Sequence, residues 1–233
     1  MTEKNIPEPF ATAYKEGRTF LLEHEALKVF ENVGVVFPPN SLIKDVNDAI
    51  KFANKIGYPV VIKAMSPKIL HKSDYKAVVI GVNSDKELEE QFNDMKERLK
   101  NFDLEGILVE KQVKKGTELL IGMNIDPTFG PVVAFGIGGI FVEAIQDVSF
   151  RMCPTNKDRA LRMIDELKTQ KMLNGFRGLP PVDRNALAEM IVKISEIAID
   201  MERYIKEIDL NPVIANEDGV FGVDARIILK DLS

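Results

Sequence analysis

Apolar residues recur at helical spacing in the first part of the chain. Leu22, Ala26, Val29, Phe30 and Val33 share one helix face, and Gly34 ends it. Val35, Val36 and Phe37 read as a short strand stopped by Pro38 and Pro39. Asp45 is a good N-cap for a helix carrying Val46, Ala49, Ile50, Ala53 and Ile56, with Gly57 as its stop. Residues 60–64 and 77–81 read as strands, and Asp85 is expected to cap a charged helix reaching about Leu99. Residues 20–103 thus predict an α/β unit, preceded by a polar, proline-interrupted arm over residues 1–19.

From residue 104 onward strand patterns dominate. Residues 106–110, 117–124 and 131–136 read as strands, with Asp126-Pro127-Thr128-Phe129-Gly130 as a turn. Strand pattern returns at 141–145 and 148–152 beyond a glycine corner. Helices are expected from Thr155, as N-cap, to about Leu167 and from about Asp183 to Met201, separated by a Gly/Pro loop over residues 175–181. The fold class is α/β, with a second subdomain over residues 104–233 and a ligand cleft expected between the two.

The end of the chain carries the most chemistry. Glu207, Asp209 and Asn211 alternate with Ile208 and Leu210, so the three polar side chains share one strand face. A hairpin centred between Glu217 and Asp218 sets Asn211 opposite Asp224 and Asp209 opposite Arg226. Such a face is costly to bury without a cation. Hard oxygen ligands on a rigid hairpin suit magnesium, which takes one or two protein oxygens and completes its shell with water and phosphate.

Composition narrows the class of protein. Hydrophobic residues make up 45% of the 233 residues, which excludes a disordered chain. The net charge of -5 argues against a nucleic-acid footprint and against a polybasic membrane anchor. Cys153 is the single cysteine, so no intrachain disulfide framework exists. No apolar run reaches about 18 residues and residues 1–15 lack a signal-peptide core, so the expectation is a cytoplasmic protein.

Several further residues read two ways. Lys63 ends an apolar strand and either snorkels to solvent or places a point charge on a phosphate. Gly136, Gly138 and Gly139 make either a sharp turn or a backbone cradle for phosphate. The dinucleotide fingerprint fails there, because Phe141 stands where its third glycine should be. His71 lies in a polar loop, either solvated or a nucleophile, whereas His24 reads as a surface residue. Glu110 and Glu118 flank a charged turn whose backbone can bond an adenine edge. Arg151 ends a strand and can clamp a phosphate, and Arg177 can do likewise or cap a helix. Cys153 reads as a packing residue.

The order of these signals is specific. Tyr58-Pro59-Val60-Val61-Ile62-Lys63, Leu70-His71-Lys72-Ser73-Asp74, Gly116-Thr117-Glu118-Leu119, Gly136-Ile137-Gly138-Gly139, Gly175-Phe176-Arg177-Gly178, Glu207-Ile208-Asp209-Leu210-Asn211-Pro212 and Asp224-Ala225-Arg226 together resemble the β subunit of ADP-forming acyl-CoA synthetases (acetate–CoA ligases), from about residue 20 onward. The resemblance implies an ATP-grasp fold, two α/β subdomains that clasp nucleotide and Mg2+. It implies Lys63 on a nucleotide phosphate, Glu110 to Val113 around adenine and Glu118 near the ribose. Asn211 and Asp224 would hold the metal with Asp209 in support, Arg151 and Gly136, Gly138 and Gly139 would face the transferring phosphate, and His71 would be transiently phosphorylated. It also implies an α subunit carrying CoA binding and acyl-phosphate chemistry, in a heterotetramer of two α and two β chains, with ATP and ADP as substrates. The alternatives are a succinate–CoA ligase β subunit, which usually lacks the loop histidine, another ATP-grasp carboxylate ligase, and a nucleotide-binding subunit without catalysis.

Overall fold

The computed structural model describes residues 6–69, 72–138, 147–175 and 179–231. In chain order the first elements are α1 (Glu8–Lys15), β1 (Phe20–Leu21), α2 (Glu23–Asn32), β2 (Asn40–Ile43), α3 (Val46–Ile56) and β3 (Val60–Met65). Next come β4 (Val78–Val82), α4 (Asp85–Arg98), β5 (Gly106–Lys111), β6 (Thr117–Asp126), β7 (Gly130–Ile137) and β8 (Val148–Met152). Helix α5 (Lys157–Glu166), a 3-10 turn at Gln170–Asn174 and helix α6 (Arg184–Asp200) precede β9 (Ile205–Asn216), β10 (Gly219–Gly222) and β11 (Ala225–Leu229).

These elements form two compact units. One contains Pro38–Val113; the other contains the described residues up to Phe37 and from Lys114 onward. The sequence suggested boundaries at 19/20 and 103/104, and the structure draws them elsewhere for two reasons. β1 pairs with β11, which ties the first helices to the C-terminal sheet. β5 pairs with β2 and β3, which ties residues 106–111 to the smaller sheet.

In the smaller unit the sheet runs β2-β5-β3-β4, every neighbouring pair antiparallel. Val60, Ile62, Ala64, Ile107 and Val109 point to one face, where Ala49 and Ala53 of α3 and Leu88, Phe92 and Met95 of α4 seal the core. Asp45 caps α3 through the amide of Asn47 at 2.8 Å. Ser84 caps α4, with Asp85 as the first helical residue, so the helix starts one place earlier than the sequence suggested.

The larger sheet runs β1-β11-β9-β6-β7-β8, with β10 also on β9. Leu119, Ile121 and Met123 of β6 are buried on one face, where α6 packs on β6 and β7, α5 on β8 and α2 on β11. On the other face Glu118, Leu120, Gly122 and Asn124 are all at least partly exposed. Asn156 caps α5, where Thr155 was expected, and Asp183 caps α6 through the amides of Asn185 and Ala186. Ser195, inside α6, accepts the amide of Thr155 at 3.1 Å and so fixes the entry to α5.

Three other expectations change. Residues 8–15 are not an arm: Phe10 and Ala13 of α1 are fully buried, and the Tyr14 hydroxyl donates to the Lys230 carbonyl at 3.0 Å. Residues 35–37 form no strand. The Val36 carbonyl accepts the Gly222 amide at 3.0 Å, and the Phe37 ring fills the space a Cβ on Gly222 would need. The strand sits instead at β2, whose polar start gave no alternating pattern. The strand expected at 141–145 and the residues Phe176, Arg177 and Gly178 lie outside the described residues.

Arg18 locks the first helices together. Its guanidinium meets Glu25 bidentately at 2.7 and 2.8 Å, both groups buried, and Glu25 also accepts the Leu22 amide at the start of α2. Removing one partner leaves a buried charge, so Arg18→Met is expected to cost about 3–5 kcal/mol in urea unfolding, and adding Glu25→Gln to recover part of it. Equal losses in the single and double variants would contradict this.

Candidate functional site

In the smaller unit Lys63 and Glu110 form the central feature. Lys63 stands opposite Leu108 and Glu110 opposite Val61 across β3 and β5, so the two side chains are diagonal neighbours on the face away from α3 and α4. Their charged ends meet at 2.9 Å, with side-chain exposures of 7% and 6%. Lys63 does not snorkel. A buried ammonium needs a counter-charge, and Glu110 supplies it while holding the amine in one place.

Beyond β5 the chain runs along the edge of this unit. The Lys111 amide donates to the Pro39 carbonyl at 2.9 Å and the Gln112 amide to the Pro59 carbonyl at 3.1 Å. Val113, half-exposed, ends the unit. Gln112 lies inside the Glu110 to Val113 stretch expected around adenine, although its side chain was not singled out there. Its side-chain carbonyl oxygen is buried with no hydrogen-bond partner among the described residues, so it is an acceptor in want of a donor. His71 lies outside the described residues, as does Gly139.

In the larger unit the acidic face exists in the expected register. Arg226 of β11 and Gly122 of β6 both pair with Asp209, and Asn124 pairs with Glu207. Asn211 and Asp224 fall between the Gly222–Val213 and Ala225–Leu210 pairs, where the Val223 amide donates to the Pro212 carbonyl at 3.1 Å. One Asp224 oxygen accepts the Ala225 amide at 3.0 Å. The carboxyl of Asp209 is held above the usual carboxylate range, first by burial and then by the charges of Glu207 and Asp224, with Arg226 acting in the opposite direction.

That electrostatic arrangement tests the fit of a cation. Burial and the two like charges of Glu207 and Asp224 raise the affinity of Asp209 for a proton, and a divalent ion would relieve that repulsion. Among the described residues no three His, Cys, Asp or Glu side chains converge into a full metal cage. Magnesium does not need one, since it keeps water and phosphate oxygens and takes few protein ligands. Asp209 and Asp224, whose charges act on each other, carry oxygens of the kind such an ion takes, and Asn211 falls beside them in the strand register.

Other candidates are placed differently. Glu118 is exposed on the same face of β6 as Gly122. Gly136 and Gly138 are required by packing. A Cβ on Gly136 would lie 2.7 Å from the Asp147 carbonyl, and one on Gly138 2.8 Å from the Leu119 carbonyl. The Gly138 amide already donates to the Glu118 carbonyl at 2.8 Å, so it is not a free donor for phosphate.

Arg151 is the clearest correction. Phe150 is in register with Ala134, Gly122 and Asp209, whereas Arg151 is in register with Val133, Met123 and Ile208. Its side chain therefore leaves the opposite face of the sheet. There it pairs with Glu166 of α5 and lowers that carboxyl's pKa, with Ser149 donating to the same carboxylate at 2.7 Å. Cys153 is half-buried, and burial pushes its thiol up to about 11, which keeps it protonated and inert. His24, expected at the surface, is half-buried, and burial lowers its pKa.

The family profile described as an ATP-grasp domain matches residues 12–229. The chain is 42% identical to the acetate–CoA ligase [ADP-forming] II subunit β of Pyrococcus furiosus, over 92% of this chain and 94% of that one. The chain belongs to the ATP-grasp family, among the ADP-forming acetate–CoA ligase β subunits. A structure of the Ca. Korarchaeum cryptofilum dinucleotide forming acetyl-coenzyme A synthetase 1 with coenzyme A, Ca-AMPCP and HgCl+ superposes with a TM-score of 0.90 at 41% identity, covering 96% of this chain and 99% of that one. Another, with coenzyme A and Mg-AMPPCP, has its phosphohistidine segment pointing towards the nucleotide binding site, at a TM-score of 0.85 and 39% identity, covering 96% and 99%. This ATP-grasp chain is thus a ligase subunit, and no described helix is long and apolar enough to cross a membrane.

The ATP-grasp face generates a prediction about stability. Because the folded-state pKa of Asp209 is raised, the folded protein favours its neutral form. The stability that this group contributes is full below the ordinary aspartate pKa and is lost as pH rises through the folded-state value. Asp209→Asn is therefore expected to raise the melting temperature of the nucleotide-free chain at pH 7.5, with the gain shrinking as pH falls toward 4. A melting temperature that is unchanged or lower at pH 7.5 would contradict the electrostatic reading.

Proposed function

We propose that the chain is the nucleotide-binding subunit of an ADP-forming acid–CoA ligase, and that it passes phosphate between His71 and ADP. The overall reaction is acyl-CoA, ADP and phosphate going reversibly to carboxylic acid, ATP and CoA. The observation that carries this reading is the mutual charge of Glu207, Asp209 and Asp224, in a chain that aligns nearly end to end with ligase β subunits.

Each residue then has a physical task. Lys63, held by Glu110, sets a fixed positive charge against a nucleotide phosphate. Residues Glu110 to Val113 receive the base, and Glu118 accepts from a ribose hydroxyl. Asn211 and Asp224 hold magnesium with Asp209 in support; when bound, the ion neutralises charge across the nucleotide phosphates. His71 takes the phosphoryl group on an imidazole nitrogen and gives it to the terminal oxygen of ADP. Support for that last role comes from the phosphohistidine segment of the Korarchaeum enzyme, which shares 39% identity with this chain. Arg151 is left out of the phosphate clamp, because its own face of the sheet points toward α5.

The reading implies a partner. CoA binding and acyl-phosphate formation belong to an α subunit, in an assembly of two α and two β chains in the cytoplasm. In that assembly His71→Ala is expected to abolish ATP formation from acyl-CoA while the dissociation constant for ADP stays within twofold. Retained ATP synthesis would remove His71 from the path. Asp224→Ala is expected to weaken magnesium-dependent ADP binding by tenfold or more in calorimetry, and unchanged affinity would remove Asp224 from the metal site.

A further inference from the structure

Two backbone segments of the smaller unit, residues 66–69 and 72–77, are fastened to the same short turn. That turn begins at Arg98, the last residue of α4, and ends at Asp103. On the first segment the Ser66 hydroxyl donates to the Phe102 carbonyl and accepts the Lys68 amide at 3.0 Å. The Lys68 ammonium meets Asp103 at 2.6 Å, and Ile69 is buried in the core. On the second, one Arg98 nitrogen donates to the Tyr75 carbonyl at 2.7 Å and to the Lys76 carbonyl at 3.2 Å. The Tyr75 ring stands edge-on to Phe102 at 5.1 Å between centroids.

The chemistry of these contacts is demanding. Lys76 has φ of 50° and Asp103 of 49°, a left-handed conformation that is uncommon for residues with a side chain and more readily adopted by Asp than by Lys. Tyr75 and Lys76 precede β4, so no ladder bond serves their carbonyls and they need other donors. The planar guanidinium serves both, while Asp94, one turn earlier in α4, holds its other edge at 3.2 Å. Ala77 is buried in the core, and its amide closes the segment onto the Lys72 carbonyl at 2.7 Å. Three peptide units separate Ile69 from Lys72, a reach of at most about 11 Å.

We propose that the Arg98–Asp103 turn is a pedestal that sets the position of the backbone on both sides of His71, and that Arg98 and Phe102 are positioning residues for phosphoryl transfer. The proposal rests on the reading that His71 carries the phosphate. In the step concerned the bond between phosphorus and the imidazole nitrogen breaks, its electron pair returning to nitrogen. A terminal oxygen of ADP forms the new bond to phosphorus. In-line transfer tolerates little misplacement, so loosening the fastened segments should slow the step without touching the nucleotide.

The test uses the two-subunit enzyme with His71 phosphorylated, mixed with magnesium ADP in a single turnover. Arg98→Met is expected to slow ATP formation at least tenfold, with the dissociation constant for ADP within twofold of wild type. If that variant does not fold, Phe102→Leu, which removes the ring beneath Tyr75, is expected to show the same split. A rate within twofold of wild type in either folded variant overturns the pedestal alone. So does a loss of rate matched by an equal loss of ADP affinity. A wild-type enzyme that never carries phosphate on His71 overturns the functional reading, and the positioning role with it.

Discussion

Strand β9 is paired along its length, with β6 on one side and with β10 and β11 on the other. Its register is fixed by Ile208, Leu210, Val213 and Ala215, each at most 1% exposed, packed on the helix side of the sheet. A slip of one residue would drive Glu207 and Asp209 into that core, where an unpaired carboxylate costs far more than any strand pairing returns. The same constraint that holds the core therefore holds the acids together on the opposite face. The raised pKa of Asp209 records its burial first and then the repulsion of Glu207 and Asp224. Under the proposed function, that repulsion is what a bound cation would relieve.

The smaller unit solves the opposite problem. There a positive charge is buried, and Glu110 stands next to Lys63 to make that burial tolerable. Lysine fixed in this way presents its charge with little conformational freedom left to lose on binding. One unit thus carries a neutralised cation and the other an under-neutralised set of anions.

Much of this was legible from residue order. The alternation through Glu207, Asp209 and Asn211 and the turn at Glu217 and Asp218 gave the hairpin register, because period-two patterning leaves one choice once the turn is centred. Asp45, Gly34 and Gly57 marked helix ends through local backbone chemistry alone. What stayed hidden depends on long-range partners. The pairings of β1 with β11 and of β5 with β2 and β3 move the unit boundaries, and no local pattern signals them. The side of the sheet from which Arg151 leaves follows from three strand pairings together, so its place at a strand end did not reveal it. Residues 8–15 looked like an arm because their buried stripe amounts to little more than Phe10 and Ala13.

The central claim is that this chain receives phosphate on His71 at the nucleotide site. Incubating the two-subunit enzyme with magnesium ATP labelled in its γ-phosphate, and mapping the label by peptide mass, tests it most directly. The expected result is an acid-labile, base-stable phosphate on His71, discharged by unlabelled ADP. A chain that stays unlabelled while the enzyme turns over, or a label mapped to another residue of this subunit, would contradict it.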